Sequence, residues 1–160
     1  MEETWIMWHT HFDKHRNPLQ VFFNRTPSTN MVKILPSMSR LEKKDAAKYP
    51  FINCISLRVK VNDAGKIYEF RIPKGFRWDG ATIAPVFWIF VGAKTDNRFR
   101  IPSMIHDHLC NNKYTINFDR NLSSRIFHLL LLANGVSPFL AGVMYHAVDL
   151  YQRFQREWTK

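Results

Sequence analysis

The sequence predicts an α+β fold, a small antiparallel β-sheet in the N-terminal half packed with three or four helices in the C-terminal half. Three observations predict it. Ile55, Leu57, Val59 and Val61 alternate with Ser56, Arg58 and Lys60, the period of a half-buried strand. Asn62-Asp63-Ala64-Gly65 then supplies turn chemistry ahead of a second β-rich run, Lys66 to Ile72. Beyond residue 100, apolar residues recur at helical spacing between Pro, Gly and Asn punctuation, and no further alternating run interrupts them.

A single domain covering 1–160 is expected, because a chain of this length closes one core without splitting. Residues 1–50 read as extended or irregular with short strands: Trp5-Ile6-Met7-Trp8 and Val21-Phe22-Phe23 are separated by the turn formers Asn17-Pro18 and Thr26-Pro27-Ser28. Arg40 to Lys48 has a helix-compatible composition that Pro50 would stop. Residues 51–75 form the hairpin. Residues 76–100 read as a motif loop around Gly75 and Gly80, followed by a short buried helix at Pro85 to Val91. Residues 101–157 hold the helices. One starts with Pro102 at its first position and runs to about Asn112. The next runs from Asn117 or Asp119 to Asn134, ended by Gly135. The last is opened by Ser137-Pro138 and carries its core stripe on Leu140, Val143, Ala147, Leu150 and Phe154.

The totals narrow the function classes. With 46% hydrophobic and 14% aromatic residues the chain is too apolar to be disordered. No apolar run approaches the roughly 18 residues of a membrane-spanning helix, and the N-terminus lacks the basic start and continuous apolar stretch of a secretion signal. The expected site of synthesis is therefore the cytoplasm, with release by lysis or packaging in a particle left open. Cys54 and Cys110 alone cannot build a disulfide framework or a four-cysteine zinc site. The net charge of +10 favours an anionic partner, a lipid surface or nucleic acid, although no block of five like charges marks a dedicated patch. The oligomeric state is not written in the sequence.

The chemistry-bearing residues gather on two successive helices. His106 falls at the margin of the stripe made by Ile101, Ile105 and Leu109. Asp119 lies within about 60° of Leu122, Ile126 and Leu130 on a helical projection, so its carboxylate would share their face. Two accounts fit it: it partners the imidazole or a cation, since an unpaired buried carboxylate is costly, or it caps its own helix. Asp107 projects about 100° from His106 and would present a cation ligand beside a base. His9, His11 and His15 read as a surface cluster, His108 as a core histidine, His128 as facing away and His146 as flanking the core stripe of the last helix. Phe87-Trp88-Ile89-Phe90 is core or the rim of a lipid site.

Asp79-Gly80-Ala81-Thr82-Ile83, then His106-Asp107-His108-Leu109, then Asp119 ahead of an apolar helix and Gly135-Val136, resembles the phage and prophage domain-of-unknown-function family numbered thirteen fifty-three. That pattern is roughly Asp-x-Ala-Ser-Ile-Pro, then His-Asp-x-Leu-Tyr, then an Asp before a Phe or Leu. The resemblance spans residues 70–155 and departs from the pattern at Ala84, which intervenes before Pro85, and at Cys110, which replaces the tyrosine. The His-Asp pair is also similar to that of secreted phospholipases A-two, without their disulfides. That likeness implies His106 as base, Asp119 as the carboxylate orienting it, Asp107 and Asp79 as ligands of a divalent metal, calcium by preference, and Gly80 and Thr82 as loop residues lining the substrate.

Three functions follow as expectations. The first is a metal-assisted hydrolase acting on an ester such as a lipid. The second is a non-enzymatic virion or host-interaction protein whose His/Asp cluster is a buried structural network. The third is nucleic-acid binding through the basic surface.

Overall fold

The structure is a computed structural model that describes residues 4–12, 15–34, 50–79, 96–112 and 119–154. Its residues fall into two compact units, Met1–Gly80 and Ala81–Lys160. The architecture is α+β, with antiparallel sheets in the first unit and, among the described residues, three helices in the second. The helix expected over 40–48 and the short helix expected over 85–91 lie outside the described residues.

Among the described residues the first unit holds seven strands in two sheets. Strands β1 (Ile6–Phe12), β2 (Pro18–Phe23), β5 (Leu57–Asp63) and β6 (Lys66–Ile72) pair antiparallel in the order β1-β2-β5-β6. Alternation along β5 has the consequence read from the sequence: Leu57, Val59 and Val61 are fully buried. Register sets Val59 between Phe23 and Phe70, so one face of the sheet carries a continuous apolar layer. The hairpin closes through Ala64 and Gly65, both at positive φ (50° and 94°), a two-residue turn whose twist matches that of its strands. Asn62 Oδ1 accepts from Gly65 N at 2.9 Å and holds the turn.

The second sheet pairs β3 (Val32–Ile34), β4 (Phe51–Asn53) and β7 (Arg77–Trp78) in the order β3-β4-β7. Trp78 stacks on Phe51 (5.5 Å between ring centroids) and Phe76 (6.0 Å). Asn53, fully buried, donates through Nδ2 to Ile55 O and Pro73 O at 2.5 and 3.2 Å. Gly75, at φ 87°, donates its N–H to Asn53 O. The loop after β6 is thus tied back to β4.

The second unit packs α1 (Asn97–Asn111), α2 (Arg120–Ala133) and α3 (Pro138–Phe154) around Phe99, Phe127, Leu131, Val136, Ala141, Met144, Ala147 and Val148. Helix α1 begins five residues before Pro102, which sits inside it rather than at its first position. Asp96 supplies the earlier start by accepting from Arg98 N at 2.8 Å, and the added turn buries Phe99 and Ile101. That burial outweighs the backbone hydrogen bond Pro102 cannot donate. Helix α2 ends as expected at Gly135 (φ 78°), with Val136 N donating to Leu131 O and Gly135 N to Leu132 O, the paired bonds of a Schellman ending. Pro138 takes the first position of α3.

The core stripe expected on α3 is displaced. The helix buries Ala141, Met144, Ala147 and Val148, whereas Leu150 and Phe154 are exposed. Ala141 and Ala147 join Met144 and Val148 in the core cluster, so the buried face of α3 is the narrower one although larger apolar residues lie on the other. Among the described residues no helix is long and apolar enough to cross a membrane.

Candidate functional site

Helix α1 places the imidazole of His106 inside the second unit, where the residue is 8% exposed. Its ring lies 5.1 Å from that of Phe127 on α2, and Nε2 is 2.6 Å from Gln152 Nε2 on α3. An amide nitrogen only donates, so His106 Nε2 accepts and the ring proton resides on Nδ1. That nitrogen faces Asp107 Oδ1 at 3.6 Å. Ser124, fully buried on α2, donates through Oγ to Gln152 Oε1 at 3.2 Å. The same Gln152 amide donates to Cys110 Sγ at 3.2 Å, and that sulfur lies 3.7 Å from His106 Nε2.

The result is a continuous polar chain, Ser124 to Gln152 to His106, with one link from each helix. Helical spacing explains its membership. Cys110 is one turn beyond His106 on α1, and Ser124 is one turn before Phe127 on α2.

Asp119 does something else. Its Oδ1 accepts from Leu122 N at 2.6 Å at the start of α2, so the carboxylate caps its own helix, and Ser124 is the α2 residue joined to the His106 chain. Among the described residues, the polar groups around the His106 ring come from Gln152, Cys110 and Asp107. Asp79 ends the described part of the first unit, half-buried, whereas Gly80 and Thr82 lie outside the described residues. Among the described residues no three His, Cys, Asp or Glu side chains converge as a metal's ligand set would require.

The remaining polar groups serve the helices. Asp149 on α3 is bridged by Arg120 at the start of α2 and by Arg153 one turn further along α3 (2.9 Å). Two guanidiniums on one largely buried carboxylate compensate its desolvation. His108 is 6% exposed, and burial pushes its pKa down to about 4, so it is a neutral core histidine. The rings of His128 and Tyr145 lie 5.5 Å apart, and His146 is exposed on α3. His9 and His11 lie on β1 opposite Val21 and Leu19.

Sequence reasoning missed Gln152, Ser124 and Cys110 as partners of His106. Gln152 had one legible signal: it lies one turn from Val148, on the face of α3 that faces inward.

Fold and site together define an α+β protein whose helical unit holds a buried imidazole hydrogen-bonded across its helices. Residues 55–148 match the family described as "Protein of unknown function (DUF1353)", and the chain belongs to that family. It is similar to the uncharacterized protein y4jT of Sinorhizobium fredii (strain NBRC 101917 / NGR234), 36% identical over 91 residues that cover 57% of this chain and 25% of that relative. The chain thus matches about a quarter of the length of that curated relative. No solved structure matches.

Proposed function

We propose that the His106 cluster is the structural lock of the helical unit, and that the protein acts as a non-enzymatic binding component, a virion or host-interaction protein of phage type. One observation carries this reading: Gln152 occupies His106 Nε2 at 2.6 Å while its carbonyl is held by Ser124. A base that takes a proton from water needs a lone pair free to meet it, and here that lone pair is spent on an interhelical hydrogen bond. The capping role of Asp119 supports the same reading, because the carboxylate that would orient a catalytic imidazole is bonded to Leu122 N. The net charge of +10 directs the search for a partner to anionic surfaces, nucleic acid or lipid headgroups.

The test is thermal unfolding. His106→Ala and Gln152→Ala each lower Tm by several degrees, and calcium, magnesium, manganese and zinc leave the wild-type Tm unchanged. A metal-dependent rise in Tm that His106→Ala or Asp107→Ala abolishes would overturn the proposal.

A second reading has its own support, because the Asp107 carboxylate stands 3.6 Å from His106 Nδ1 and 13% exposed. A helix that presents a base beside a cation ligand suits metal-assisted hydrolysis of an ester, with calcium the first metal to try. Under that reading Asp107 is a ligand of the metal, and His106→Ala and Asp107→Ala each abolish turnover of a phospholipid ester while leaving the fold intact. Equal loss of Tm in the two substitutions, without turnover in the wild type, returns the site to a structural role.

A further inference from the structure

Helix α3 is apolar on two faces. Its inward face is filled by Ala141, Met144 and Val148. Its outward face carries Phe139 (79% exposed), Leu150 (50%) and Phe154 (77%), with Tyr151 (39%) at the margin. A helix at the surface of a water-soluble protein ordinarily turns charged residues that way. Exposed Phe139, His146, Leu150 and Phe154, with half-buried Val143, fall at steps of four, three, four and four, the narrow seam of one helix lying along another.

The seam reads nearly the same in both directions. Phe139 and Phe154 stand at the ends, Val143 and Leu150 inside them, and the midpoint of both pairs falls between His146 and Ala147. We propose that a second copy of this chain docks on this face, α3 against α3, antiparallel about a two-fold axis at that midpoint. In such an isologous contact each residue meets its mirror in the sequence, so Phe139 of one copy packs on Phe154 of the other and Val143 on Leu150. A parallel pairing or an unrelated helix gains nothing from the palindrome.

The area agrees. Taking about 200 Å² for a large side chain, the fractional exposures of Phe139, Leu150, Tyr151 and Phe154 amount to about 500 Å² per copy. A pair then buries about 1,000 Å², the lower edge for a specific interface.

Sedimentation equilibrium of the whole chain tests this, with disulfide trapping to read the geometry. The wild type is expected at twice the chain mass at high micromolar concentration, and Leu150→Asp at the chain mass with unchanged circular dichroism. An equimolar mixture of Val143→Cys and Leu150→Cys chains is expected to cross-link under mild oxidation. Either variant alone is not, because identical positions sit about 10 Å apart along the antiparallel pair. Wild type without either substitution reports any cross-linking through Cys54 or Cys110. A monomer at every concentration, a dimer that Leu150→Asp leaves intact, or self-cross-linking of the single variants above the wild-type level would each overturn the proposal. So would a monomer that binds vesicles of anionic phospholipid through this face, which would assign the stripe to a lipid surface.

Discussion

Replacing Gln152 with leucine isolates the polar chain without opening a large cavity. Leucine fills much of the glutamine's volume but neither donates to His106 Nε2 nor accepts from Ser124 Oγ, contacts of 2.6 and 3.2 Å among buried groups. Two buried polar atoms are then stranded, at about 1–3 kcal/mol each. The extra apolar contact of leucine returns about 1 kcal/mol, so a net loss of about 3 kcal/mol is expected. At about 2–4 °C per kcal/mol for a chain of this size, Tm falls by about 6–12 °C. The informative measurement is a double-mutant cycle by urea unfolding with His106→Leu. Once His106 is gone, Gln152 has lost its main acceptor, so the second substitution costs less than the first. A coupling of about 1–2 kcal/mol is expected. Additivity within about 0.5 kcal/mol would refute the claim that the two side chains act as one unit.

Asp119→Ala removes the cap of α2 and costs about 1 kcal/mol, whereas Asp119→Asn keeps the accepting oxygen and stays near the wild type; calorimetry separates them. A collapse of stability in Asp119→Asn would show that the charge itself is bonded elsewhere. Ala64, a non-glycine residue at φ 50°, is expected to gain about 1 kcal/mol on replacement by glycine or asparagine, and a lowered urea midpoint would contradict the turn geometry. Burial holds the His108 pKa at about 4 against an ordinary 6.5. Between those values the unfolded chain binds a proton the folded chain does not, so stability falls as pH drops through that window, by up to about 3 kcal/mol. His108→Gln flattens that dependence in a series of unfolding curves.

Much of the fold was legible because its signals are local. Alternation over 57–61 needs only a buried face to become a strand, and the Gly135 ending needs only its own backbone. Helix α1 was misplaced at its start because two local signals competed, Pro102 as a first residue and Asp96 as a cap, and burial of Phe99 decided between them. The site was half legible. His106 reads as partly buried, but Gln152, which bonds it, lies 46 residues away and Ser124, the next link, 18, on helices whose facing residues are set by packing. Of the two accounts the sequence left open for Asp119, the structure takes the cap. A projection treats it as a member of the helix, whereas as the cap it has extended backbone (φ −85°, ψ 159°) and its side chain turns back to the first-turn amides.

Helix α3 carries Gln152 toward the core and Phe139, Leu150 and Phe154 away from it, so its two roles separate experimentally. If two copies pair through the outward seam, association stabilises the folded state by mass action, about 2.7 kcal/mol at a concentration one hundred times Kd. The wild-type Tm should therefore climb by about 5–10 °C between dilute and concentrated samples. Leu150→Asp removes that slope and leaves the His106–Gln152 coupling in place, because the inward network belongs to each monomer. Gln152→Leu does the reverse: it lowers Tm at every concentration while preserving the slope, since a rigid helix keeps its outward face so long as it stays folded. A Tm independent of concentration in the wild type would remove the dimer without touching the network, and a slope that vanishes in Gln152→Leu would show that the two faces of α3 are not independent.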